Sequence, residues 1–189
     1  MGEQEPNIFE SVKNGVVAAI KGTGDVAKAV VDTVASTLTT AIKDTGQVGV
    51  AGTEAITHVA SGVIQGATEV GSDLGAAAKG TIIGVLRGTK ETGAQAMKTI
   101  SHTSGSVIKS TAEVSGDLGT AAKGLVEGAI HAAKDLGVSA EEAASAAANG
   151  ALDAAGKVGS TAGEKVRNAL TGTISGVKVV LKEPFKSAE

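Results

Sequence analysis

Residues 66–80, GATEVGSDLGAAAKG, return 44 residues later as STAEVSGDLGTAAKG at 110–124, with the acid, the lysine and most apolar positions kept. The flanking stretches keep the same offset, GTGDVAKAVVDTV from Gly22 and AAGKVGSTAGEKV from Ala154. Four copies of a 44-residue unit, at 22–65, 66–109, 110–153 and 154–185, therefore fill most of the chain. Since 44 is four times 11, the repeat predicts helix: 11 residues make three turns at about 3.67 residues per turn, a period that supercoils gently to the right.

The phase holds along the chain. When residue numbers are divided by 11, the remainder-9 positions include Phe9, Ile20, Val31, Ile42, Ile64, Leu86, Met97, Ile108, Ile130, Leu152, Ile174 and Phe185, interrupted every 44 residues by Gly75, Gly119 and Gly163. Remainders 1, 4, 5 and 8 are also apolar or small, and at about 98° per residue these five positions are angular neighbours on a helix. Remainders 2, 6, 10 and 3 form the opposite arc. They carry 30 of the 37 charged side chains (17 basic, 20 acidic). Between the arcs lies a flank of small residues, with Gly62, Gly84, Gly128 and Gly150 at remainder 7 and Gly22, Gly66 and Gly88 at remainder 0.

Composition supports an all-helical reading. Phe9 and Phe185 are the only aromatics in 189 residues, Cys, Trp and Tyr are absent, and there are 27 glycines. An apolar content of 42% with a net charge of −3 argues against a solvated coil, and the near-neutral balance gives no electrostatic footprint for nucleic acid. No basic start precedes an apolar run, so no secretory signal is expected, and no segment has the length of a conventional transmembrane span. A cytoplasmic location is the expectation.

No proline stands between Pro6 and Pro184. A helix over 8–183 would be on the order of 260 Å long at 1.5 Å per residue. Asn7, with Glu10 three residues on, reads as its capping box, leaving 1–7 as tail and cap and 184–189 as a second tail. The expected fold is thus all-α, one long amphipathic helix in a right-handed coiled coil. The alternative is four helices of about 40 residues in an up-and-down bundle. Its turns would fall at Lys43–Gly46, Lys90–Gly93 and Lys134–Gly137, each a cation followed by a capping glycine. Ser139 and Glu142 would restart the helix after the third.

Neither arc assembles a catalytic set. His58 and His102 occupy equivalent repeat positions without a repeated second donor one turn away, and His131 replaces Arg87, so all three read as surface residues. The dense glycines lack the strand and Gly-Lys-Ser/Thr of a phosphate loop. Asp73 and Asp117 lie 44 residues apart, about 66 Å on one helix, and read as salt-bridge partners rather than a catalytic pair. No metal, cofactor or enzymatic activity is expected. Some twenty-five glycines would cost a lone helix on the order of 20 kcal/mol relative to Ala, so its stability must come from packing on a partner.

The 11-residue period and small-residue composition resemble hendecad coiled-coil proteins across roughly residues 8–185. There is a fainter similarity to the 11-mer amphipathic helices of the synuclein and perilipin type and of late-embryogenesis-abundant proteins. The first resemblance implies a right-handed oligomeric rod, a structural or assembly element. The second implies a helix lying on a lipid or membrane surface. Lys13, Lys79, Lys90, Lys123, Lys134, Arg167 and Lys178 form one flank of the polar arc, and Asp25, Glu69, Glu91, Glu113 and Asp135 the other. Neighbouring parallel helices would pair these flanks. A non-enzymatic parallel homo-oligomer of three or more chains, with four as the guess, is therefore expected.

Its core would be Val12, Ile20, Val34, Leu38, Ile42, Ile56, Ile64, Leu74, Leu86, Ile100, Ile108, Leu118, Ile130, Leu152, Val166, Leu170 and Ile174. Backbones would approach most closely at Gly75, Gly119 and Gly163. Ile64→Asp and Ile108→Asp should each bury an unpaired charge and cost on the order of several kcal/mol, read as a large drop in the thermal midpoint by circular dichroism.

Overall fold

The computed structural model describes residues 7–45, 50–91 and 93–182, and among these the protein is all-α apart from one two-residue-per-strand hairpin. The elements are α1 (Ile8–Thr23), α2 (Val26–Thr45), α3 (Val50–Glu69), α4 (Leu74–Thr89), α5 (Gly93–Glu113), α6 (Leu118–Leu136), α7 (Ala140–Val158), α8 (Ser160–Leu170), β1 (Thr173–Ile174) and β2 (Val177–Lys178). The helices run to 21 residues at most. Neither the single helix nor the four 40-residue helices is formed. The chain turns about every 22 residues, twice per repeat.

Local chemistry explains the additional turns. Asp73 and Asp117, read above as salt-bridge partners, are helix N-caps. The Asp73 carboxylate accepts from the backbone N–H of Gly75 at 2.7 Å and of Ala76 at 3.0 Å, and Asp117 accepts from Thr120 at 2.8 Å. Asp25 likewise accepts from Lys28 at 3.1 Å ahead of α2. Each follows a reversal through a left-handed residue, Gly24 (φ 69°), Gly71 (φ 64°) or Ser115 (φ 55°). At the two later turns an N–H bonds back across the helix end, Ser72 to the Ala67 carbonyl at 2.9 Å and Gly116 to the Thr111 carbonyl at 2.8 Å. An acid that accepts a new helix's first N–H groups, just past a left-handed residue, ends one helix and begins another.

Two of the expected terminators act as read. Asn7 caps α1 through Phe9 N–H, and α6 stops at Gly137 (φ 65°), after which Ser139 accepts from Glu142 N–H at 3.0 Å. The Lys90–Gly93 stop is displaced: Lys90 is itself the left-handed cap of α4, at φ 54°. Pro6, Gly46, Pro184 and Phe185 lie outside the described residues. The helix expected to run to 183 ends at Leu170. The β-branched run Thr173–Val180 then folds around Ser175 and Gly176, both at positive φ, as a two-residue hairpin turn.

Successive helices turn back on one another, so each lies parallel to the helix two places along, and for α1–α7 that neighbour is the principal contact, while α8 packs most on α7. The odd helices α1, α3, α5 and α7 form one stack and the even helices α2, α4, α6 and α8 a second, laid against it. The result is a solenoid-like array of helical hairpins in which each hairpin meets chiefly the one before and the one after. The 44-residue units read from the sequence begin in the last two turns of the odd helices, whereas the structural hairpins begin with them. One apolar cluster, around Val12, Val34, Leu38 and Val59, joins α1–α4; a second, around Ile64, Ile82, Ile108, Leu125 and Val166, runs from α2 through α8. Buried threonines are satisfied locally: Thr81, Thr103 and Thr111 each donate to the carbonyl four residues back.

The cap of α6 has a pH signature. Chiefly the Thr120 backbone N–H bond holds the Asp117 carboxyl below its ordinary value. A folded-state value below the unfolded one means the cap contributes at neutral pH and is lost as acid carries the solution down through the folded-state value. Asp117→Ala should therefore cost about 1 kcal/mol at pH 7 and progressively less in acid, while Asp117→Asn should retain most of the stability. Urea unfolding across pH measures both.

Candidate assembly interface

The feature that repeats along both stacks is a glycine facing the backbone of the parallel neighbour. A Cβ built on Gly62 of α3 would stand 2.7 Å from the Phe9 carbonyl oxygen of α1, and one on Gly66 would stand 2.9 Å from that of Lys13. On α4, a Cβ at Gly80 would stand 2.6 Å from the Ala27 oxygen of α2, at Gly84 2.7 Å from Val34 Cβ, and at Gly88 2.9 Å from Leu38 Cβ. On α6, Gly128 would meet the Lys79 oxygen of α4 at 2.7 Å. The two tightest approaches are Gly124 of α6 against the Gly75 carbonyl and Gly150 of α7 against the Ser101 carbonyl of α5. No side chain fits at any of these places. The later helix of each pair supplies the glycine and the earlier one the receiving backbone, so the stacking has a direction.

Six of the eight are small-residue flank positions, at remainders 7 and 0; Gly80 and Gly124 are at remainder 3. The glycines singled out from the apolar stripe behave unequally. Gly75 takes part through its carbonyl, and a Cβ there would meet Thr120 Cγ2 at 3.1 Å. At Gly119 the nearest group would be Ala169 Cβ at 3.2 Å, a tight fit. At Gly163 it would be Gly156 Cα at 3.6 Å, an ordinary contact. The i, i+4 spacing of small residues, as at Gly80 and Gly84, marks where a neighbour's backbone comes close, whereas volume lost from the apolar stripe does not.

The seventeen residues assigned to an oligomer core find their neighbours within one chain. Val12, Val34, Leu38, Ile56, Ile64, Leu86, Ile100, Ile108, Leu118, Val166, Leu170 and Ile174 are buried there, and Ile20, Ile42, Leu74, Ile130 and Leu152 are half-buried. The charged flanks meet in the same way. Lys13 of α1 reaches Glu69 of α3 at 2.9 Å, and Lys79 of α4 lies 3.9 Å from Glu127 of α6. Both join parallel helices, the relation inferred for separate chains. Being partly exposed, each contributes at most about 1 kcal/mol.

A polar groove of about 670 Å³ runs over α5 between α3 and α7, with Ser61, His102, Lys109, Glu113 and Asp153 among its lining residues. Hydroxyl pairs cross its floor: Ser61 and Ser110 are 2.9 Å apart. His102 is half-buried and ties α5 to α3, with Nε2 at 3.2 Å from the Thr53 carbonyl, so Nε2 carries the hydrogen. His58 and His131 are exposed, as read. Among the described residues, no helix is long and apolar enough to cross a membrane. Comparison with protein families, curated proteins and solved structures finds no match.

The close approaches separate glycines that look alike in the sequence. Gly124→Ala should force the α4 and α6 backbones apart and cost about 1–3 kcal/mol by overpacking. Gly163→Ala should be neutral or stabilising by up to about 1 kcal/mol, the helix-propensity gain of alanine. Paired chemical-denaturation curves give the comparison directly.

Proposed function

We propose that this protein is a non-enzymatic structural or assembly protein that associates with copies of itself. The observation that carries this reading is the directional, repeated use of one surface. Three times along the chain, a helical hairpin is received on the backbone of its predecessor through small flank residues and carbonyl groups. A surface that receives the next repeat of its own chain has the shape to receive a repeat of another. The assembly envisaged is a stack of hairpins continued between chains, in place of a parallel rod of three or four continuous helices. A lipid-surface role needs a wide apolar arc turned outward. In the folded chain that arc is spent on the core, and Val158 and Val180 are the large hydrophobics exposed among the described residues.

Sedimentation over a wide concentration range tests the proposal. The expected outcome is reversible association above the 18.3 kDa monomer with an unchanged helical spectrum. A chain that stays monomeric throughout, and instead sediments with liposomes while its helical signal changes, would favour the lipid-surface reading.

A further inference from the structure

The last odd helix, α7, ends its stack at a place that repeat arithmetic identifies. The Ser101 carbonyl of α5 receives Gly150 of α7; 44 residues on, the equivalent carbonyl is that of Ser145. Among the described residues no further helix of the odd stack follows. The Asn149 side chain, at the position of Gly105, donates instead to Ser145 O at 2.8 Å and to Val180 O at 3.3 Å, and its Oδ1 accepts from Lys182 N–H at 2.8 Å. The even stack closes similarly. The Lys79 carbonyl receives Gly128, and two repeats on stands Arg167, whose carbonyl accepts from Thr171 Oγ1 at 2.7 Å. The Arg167 guanidinium in turn donates to Lys182 O at 3.1 Å. The peptide groups on either side of Lys182 are thus held by the ends of both stacks, and the strap 179–182 lies where a next hairpin would begin.

The opposite end of the chain carries the complementary surface. Gly62 and Gly66, which seat α3 on α1, have Ala18 and Gly22 as their equivalents 44 residues earlier. Both are exposed, and a Cβ built on Gly22 would meet nothing within 4 Å. Small residues of the kind that seats on a neighbour stand unoccupied at the α1 end of the array, while at the other end the receiving carbonyls of Ser145 and Arg167 accept from Asn149 and Thr171 beneath the strap.

We infer that the strap is a displaceable cover on an interaction surface for a second copy of this chain, whose α1 seats Ala18 and Gly22 on the α7 carbonyl face once the strap lifts. This rests on the assembly reading above and names its interface and its gate. The strap is held by these polar ties and by two apolar anchors: Val179 is buried in the larger apolar cluster and Leu181 packs against it, while Val180 is 60% exposed and Lys182 is exposed. Its release frees the Asn149 and Arg167 side chains from the Val180 and Lys182 peptide groups and opens the α7 face beside Ser145.

The test uses the full-length chain. Asn149→Ala with Arg167→Ala should loosen the strap and lower the concentration midpoint of association about tenfold, the scale of one or two net hydrogen bonds, with helical circular dichroism retained. Ala18→Arg, at an exposed position, should weaken association in both the wild-type and strap-released chains. Should the double variant lose its helical signal, Ala18→Arg alone in the wild-type chain still decides. Association that ignores Ala18→Arg, or a folded double variant with an unchanged midpoint, overturns the inference and leaves the assembly reading standing. No association in any folded variant overturns both.

Discussion

The structure depends on backbone meeting backbone. At Gly84, Gly124, Gly128 and Gly150 the neighbouring helix comes so near that a methyl group would collide with it. Glycine costs a helix about 1 kcal/mol relative to alanine, and a lone helix of this composition would not hold. The stacks recover that loss collectively, by dispersion over closely apposed helices and by Cα–H groups that face carbonyl oxygens. The arrangement also accounts for the scarcity of aromatics: with helices this close, there is little volume between them for large side chains.

Direction follows from the same contact. The later helix gives glycine and the earlier gives carbonyl or valine, so one hairpin cannot be exchanged for another in reverse order. The salt bridges obey the same relation, since Lys13–Glu69 and Lys79–Glu127 join the same parallel neighbours. A directional stack has two unlike ends. Here α1 leaves Ala18 and Gly22 exposed, whereas Asn149, Arg167 and Thr171 engage the strap and the terminal carbonyls. The asymmetry of the ends, more than any cleft, is the feature on which the proposed self-association rests.

The turns show how a few residues outweigh a long periodicity. Eleven-residue phase runs across the whole chain because repetition of a 44-residue unit, four times 11, carries the phase across every turn within it. Periodicity alone therefore cannot tell one helix from many. The capping aspartates could have done so: Gly71-Ser-Asp73 and Ser115-Gly-Asp117 each join a residue free to turn to one able to accept a new helix's N–H groups. Charge alone reads Asp73 and Asp117 as salt-bridge partners, whereas their place just past a residue free to turn is what makes them caps.

By itself the sequence determined the helical class, the repeat length, the inward stripe and the pairing of basic with acidic flanks, because these are set by spacing along a helix. It also marked Asn7, Gly137 and Ser139 as helix ends, since capping is chemistry within four residues. What only the tertiary structure decided is whether Ile64, Ile108 and their companions face another chain or another part of the same one. Parallel neighbours satisfy the stripe and the flanks equally well whichever chain they come from. It likewise decided which glycines matter: Gly124 and Gly163 are the same residue in the same repeat family, and only the position of a neighbouring backbone makes one indispensable and the other spare.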